Sequence, residues 1–97
     1  MKNVYQVKSS LSENLDFLKS KYKVEKVGVF GSVTKGLNTE SSDVDILVEF
    51  SEPIGFFKFL ELEEYLSRAI GVKVDLVTSK ALKPAIKEEI LKEVVYA

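Results

Sequence analysis

The chain has 97 residues, 45% hydrophobic and 30% charged, the composition of a folded globular protein with a small core and room for a single domain spanning residues 1–97. Its 14 basic and 15 acidic residues leave a net charge of −1, so no positive field exists to hold a nucleic acid backbone, and direct nucleic acid binding is not expected. The absence of every Cys and His excludes disulfide frameworks, zinc sites, thiol nucleophiles and imidazole acid/base chemistry, and leaves only oxygen ligands for a metal.

No apolar run approaches the ~18 residues of a membrane span, and Met1 to Ser10 lacks an apolar stretch of signal-peptide type, so a cytoplasmic protein that stays off the membrane is expected. In chain order, Ser10 to Glu13 reads as a capping box ahead of Leu11, Leu15 and Leu18, predicting a first helix over about residues 10 to 21. Lys26 to Phe30 is a short strand. Gly31 to Ser42, rich in Gly, Ser, Thr and Asn, is a loop with at most one helical turn. Val44 to Phe50 alternates with period two, its aliphatic face Val44, Ile46 and Val48 turned to the core. Ser51 and Pro53 open a second helix that Gly71 ends. Lys73 to Val77 is a third strand, and a last helix starts near Pro84 and carries the stripe Leu82, Ile86, Ile90 and Val94, widened by Leu91 and Val95.

The chemistry concentrates at Gly31-Ser32 and, ten residues later, Asp43-Val44-Asp45 at the mouth of the second strand. Strand alternation puts Asp43 and Asp45 on one face, ~7 Å apart, where they repel unless a divalent cation sits between them. Magnesium is normally held by a few carboxylates together with substrate phosphates. The window Gly36 to Phe57 carries Glu40, Asp43, Asp45, Glu49 and Glu52 and no Lys or Arg, so it supplies no compensating cation of its own. A strand-helix-strand crossover makes the second and third strands parallel and brings Asp75 to the same edge. For Ser32 to reach that edge, the first two strands must run antiparallel. The expected fold is therefore a two-layer α/β arrangement, helices over a small mixed sheet. Gly31 and Ser32 are placed to offer backbone N–H groups and a hydroxyl to phosphate oxygens. Together these parts describe phosphoryl or nucleotidyl transfer with two metal ions.

These residues, GSVTKGLNTESSDVDILV with VDLV downstream, resemble the minimal nucleotidyltransferases of the DNA polymerase beta superfamily, whose signature is Gly-Ser, ten residues, Asp-x-Asp and a third Asp on a later strand. The match holds at Gly31, Ser32, Asp43, Asp45 and Asp75 and the resemblance extends over essentially the whole chain, including the Lys83-Pro84 helix start. Lys35 stands where the family often has Arg, a point charge in place of a forked donor. The resemblance implies Asp43, Asp45 and Asp75 as catalytic ligands of two Mg²⁺ ions, Gly31, Ser32 and Lys35 as the nucleotide grip, and ATP as the substrate that yields AMP. Larger members add a helical acceptor domain that this chain lacks. Small stand-alone members look like antitoxins that silence a helical HEPN-domain ribonuclease partner by attaching AMP to a tyrosine. Two other functions remain open to such a chain: neutralising a partner by binding alone, and transfer to an antibiotic or metabolite, for which two copies in a homo-oligomer could build the acceptor site.

Lys83, Lys87, Glu88, Glu89, Lys92 and Glu93 read as a solvated helix face. Phe56, Phe57, Phe59 and Tyr65 belong by residue type to the core. The apolar positions of their helix wrap too far for so small a core, however, and part of that surface is expected to be an interface.

Overall fold

The computed structural model describes residues 2–97. In chain order it contains α1 (Val4–Tyr22), β1 (Val24–Phe30), a 3₁₀ turn at Gly31–Val33, β2 (Val44–Phe50), α2 (Phe56–Ile70), β3 (Val74–Thr78), a second 3₁₀ turn at Ser79–Ala81, α3 (Pro84–Glu93) and β4 (Val95–Tyr96). The sheet order is β3-β2-β1-β4. β1 pairs antiparallel with β2 and β4, while β2 pairs parallel with β3. The mixed α/β sheet expected from the crossover and from the position of Ser32 is thus observed.

Helix α1 begins well before the expected start. Asn3 is its cap: the Asn3 side chain accepts from the Gln6 N–H and the Gln6 side chain accepts from the Asn3 N–H, both at 2.9 Å. Ser10 and Glu13 therefore lie inside the helix rather than capping it, and Asn14 Nδ2 donates to the Ser10 carbonyl at 2.7 Å. The extra turns bring Val7 into the core stripe with Leu11 and Leu18. Helix α2 starts at Phe56, capped by extended Gly55, so Ser51 and Pro53 belong to the preceding connection. Gly71 ends it in the left-handed region at φ 83°, as expected.

One face of the sheet supplies Val27, Val29, Ile46, Val48, Val74 and Leu76 to a core closed by Val7, Leu11 and Leu18 of α1 and by Leu62, Leu66 and Ile70 of α2. Tyr22 ties the two helices: it is buried, its hydroxyl donates to Glu61 Oε2 at 2.7 Å, and burial followed by that carboxylate pushes its pKa up to about 12. Edge strand β3 is closed by α2, since the Val74 N–H donates to Ser67 Oγ and the Leu76 N–H to Glu63 Oε2, each at 2.9 Å.

The other face carries Gly28, Phe30, Asp45, Leu47 and Asp75 by alternation. Leu47 is fully buried yet stands outside the main core. Here the chain's end corrects the sequence reading: α3 stops at Glu93, and Val94 and Val95 leave the helical stripe, Val94 turning extended and Val95–Tyr96 pairing with Val29 and Gly28. Gly28 permits this approach. A Cβ there would lie 2.7 Å from Val94 Cγ2 and 2.9 Å from the Val95 carbonyl oxygen. Gly28→Ala is therefore expected to destabilise the fold by about 1–3 kcal/mol through overpacking. Thermal melting checks this, and an unchanged midpoint would show that the C-terminal segment is not held against β1.

Candidate active site

Pairing register builds the site. Phe30 of β1 stands opposite Asp45 of β2, and Asp45 stands opposite Asp75 of β3. Three strands thus bring the residue before Gly31, the second carboxylate and the third carboxylate into one row. Val44 N–H donates to the Lys73 carbonyl at 2.9 Å, fixing the strand entrances side by side. Asp43 is held just ahead of β2 by the turn in which Ser42 N–H donates to the Thr39 carbonyl at 3.0 Å and Thr39 N–H donates back to Ser42 Oγ at 2.9 Å.

Gly31 opens the neighbouring turn at φ 79°, in the left-handed region. The turn is tightly bonded: Thr34 N–H and Thr34 Oγ1 both donate to the Gly31 carbonyl, at 3.1 and 2.7 Å, and Lys35 and Leu37 N–H both donate to the Ser32 carbonyl, at 3.1 and 3.0 Å. A Cβ on Gly31 would run into the Asp45 carboxylate. The Gly31-Ser32 turn therefore touches the Asp45 carboxylate, with Asp75 opposite Asp45 across the strand pair and Asp43 just ahead of β2 at the same end of the sheet.

Asp45 registers the electrostatics. Burial, then Asp75, Asp43 and Glu93 in that order, hold its carboxyl above the ordinary range. Lys73 Nζ approaches Asp43 Oδ2 at 4.0 Å, a cation from outside the acidic sequence window, but both side chains are largely exposed and the pair offsets little. Among the described residues no three carboxylates converge closely enough to form a ready-made cation cage. A row of hard oxygens around an under-compensated carboxylate fits magnesium, which takes only one or two protein carboxylates and completes its shell with waters and substrate phosphates.

Glu93 is the functional neighbour that sequence reasoning missed. Its Oε1 accepts the Gly31 N–H at 3.1 Å and its Oε2 lies 3.4 Å from Lys35 Nζ. It belongs to the site rather than to a solvated helix face. The only signal for this was its place one residue before the extended C-terminus, and without knowledge of β4 that position carries no meaning.

Elsewhere, a groove of about 720 Å³ lies at the far end of β2, lined by Glu49, Phe50, Pro53, Phe56 and Phe59 among others. Phe56 and Phe57 are exposed and packed on one another with ring centroids 5.8 Å apart, whereas Phe59 packs against Phe50 and Tyr65 against Phe17. Surplus aromatic surface therefore exists at the start of α2, and Tyr5 and Phe17 of α1 are exposed as well. No helix among the described residues is long and apolar enough to cross a membrane.

Comparison with known proteins gives a consistent assignment. A relative from Thermococcus cleftensis, the protein adenylyltransferase MntA, is 44% identical over 96 residues, covering 99% of this chain and 97% of its own. The solved structure of a candidate minimal nucleotidyltransferase superposes with a TM-score of 0.80 at 31% identity, covering 97% of this chain and 95% of that one. The fold is also shared, at 19% identity and a TM-score of 0.66, with a Shewanella oneidensis complex of a tri-AMPylated HEPN toxin and its MNT antitoxin, covering 93% of this chain and 70% of that one. The model of the nucleotidyltransferase domain family matches residues 11–97, the span that carries both the Gly31 turn and the carboxylates Asp43, Asp45 and Asp75, and the chain belongs to that family of transferases.

Proposed function

We propose that this chain transfers AMP from ATP to a tyrosine hydroxyl of a HEPN-type toxin and thereby acts as its antitoxin. The observation that carries the chemistry is the row Phe30, Asp45, Asp75, which sets the Gly31 turn directly against the crowded Asp45 carboxylate. The 44% identity to a protein adenylyltransferase supports AMP as the group moved and a protein as its acceptor. The toxin partner rests on the family resemblance and on the fold shared with an MNT antitoxin.

Asp43 and Asp45 would hold two Mg²⁺ ions between them, and Asp75 would complete the set on the acceptor side. When bound, the metal supplies neutralisation of triphosphate charge and favours the ionised form of the acceptor hydroxyl. The Gly31 N–H and the Ser32 hydroxyl donate to the outer phosphates, with the Lys35 ammonium beside them. The acceptor oxygen bonds to the α-phosphorus, the bond from that phosphorus to the β-phosphate oxygen breaks, pyrophosphate leaves with the electron pair, and the hydroxyl proton passes to solvent. Asp43 and Asp75 are exposed, so the row is open to an acceptor presented on another protein, and docking of that protein orients its hydroxyl at the site.

The test is intact-mass spectrometry of a HEPN partner after incubation with this protein, Mg²⁺ and ATP. Each transfer is expected to add ~329 Da, AMP less water, to a partner tyrosine. Neutralisation of the partner by an Asp43→Asn, Asp45→Asn double variant, with no mass added, would instead establish occlusion as the mechanism.

A further inference from the structure

Glu93 closes α3, and its side chain is only 25% exposed. Helix geometry does not require its contacts, because the helix ends on its own bond from the Val94 N–H to the Ile90 carbonyl at 3.0 Å. The carboxylate nevertheless takes the Gly31 N–H on one oxygen at 3.1 Å and faces Lys35 Nζ with the other at 3.4 Å. These are two of the three residues proposed to grip the triphosphate, one by its backbone and one by its ammonium. A carboxylate and a phosphate present the same acceptor chemistry to such donors, and the Gly31 N–H can point at only one of them. Glu93 also adds a fourth carboxylate beside Asp43, Asp45 and Asp75, so its presence opposes an incoming polyanion twice, by occupancy and by repulsion.

We propose that Glu93 is a placeholder for an outer phosphate of the nucleotide: it keeps the Gly31 turn formed while the site is free, and the triphosphate must expel it to bind. The inference rests on reading Gly31 to Lys35 as the phosphate turn. Because Val94 packs over Gly28 and leads into β4, the backbone of Glu93 stays anchored and expulsion is a movement of its side chain.

The experiment measures binding of a non-hydrolysable ATP analogue with Mg²⁺ by calorimetry, with amide hydrogen exchange at Gly31 as an independent readout. Glu93→Gln and Glu93→Ala are expected to bind the analogue about tenfold more tightly than wild type, because a charge-assisted competitor is gone. In the free protein, Gly31 exchange is expected to be faster in Glu93→Ala than in wild type, and slow in both once the analogue is bound. Equal or weaker binding by both variants, with wild type binding normally, would overturn the placeholder and make Glu93 a fixed support of the turn. If Glu93→Ala fails to fold, the near-isosteric Glu93→Gln decides alone. Wild-type affinity left unchanged by Ser32→Ala and Lys35→Ala would overturn the phosphate-turn reading itself, a distinct result from failure of the placeholder.

Discussion

Asp45→Asn is expected to lower AMP transfer by on the order of 10³-fold, since removing a shared metal ligand forfeits several kcal/mol of transition-state charge stabilisation, and at the same time to raise the melting temperature of the nucleotide-free protein. The second effect follows from the sign of the pKa shift. Burial, Asp75, Asp43 and Glu93 raise the Asp45 pKa in the folded state, so the folded protein binds that proton more tightly than the unfolded chain. The ionised carboxylate is then a cost to folding at neutral pH, and stability contributed by this group increases as pH falls through its raised value. Asn removes the cost at neutral pH. The advantage of the variant over wild type should shrink on acidification as wild-type Asp45 takes up its proton. Thermal melts at several pH values, alongside the transfer assay, check both halves. A variant that melts below wild type at neutral pH would show that Asp45 is paired rather than crowded. Asp75→Asn is the control: it should suppress transfer while nucleotide still binds through Asp43 and Asp45.

Gly31→Ala is expected to remove nucleotide binding and transfer together, an effect at least as large. The residue sits at φ 79° and its added methyl would collide with the Asp45 carboxylate. Left-handed strain alone costs about 1–2 kcal/mol, and the collision forces either the turn or the carboxylate out of place, so one substitution disables both halves of the site. Calorimetric titration with Mg²⁺ and an ATP analogue reads it. Near wild-type affinity would mean that the turn and Asp45 are not in contact in solution.

The parts of this protein that were legible in its sequence are those fixed by local pattern. β2 was readable because Val44, Ile46 and Val48 recur with period two between Asp45, Leu47 and Glu49, and Asp75 could be placed beside Asp45 because a crossover through α2 forces parallel strands. The start of α1 was obscured because Ser10 and Glu13 imitate a cap, while the real one, Asn3 with Gln6, precedes a stretch with only Val4 and Val7 to signal a stripe. β4 was hidden for a different reason. Val94 and Val95 continue the helical period, and only the unpaired edge of β1 above Gly28, a non-local partner, makes the extended form favourable. Glu93 inherits that difficulty, because its place in the site depends on where the helix stops.

The capping of β3 by Ser67 and Glu63 limits how another protein can attach. Many partners bind by laying an extended segment along an open sheet edge, which requires a row of free backbone donors and acceptors. On the β3 side two of those donors are already taken by α2, and on the opposite side the outermost strand is two residues long. Beyond it β1 shows the charged residues Glu25 and Lys26 and a register shift between Val24 and Lys26, features that discourage strand addition. Recognition is left to side-chain surfaces, foremost the exposed Phe56 and Phe57 at the head of α2, and a peptide mimicking a β-strand should be a poor competitor for any partner of this protein.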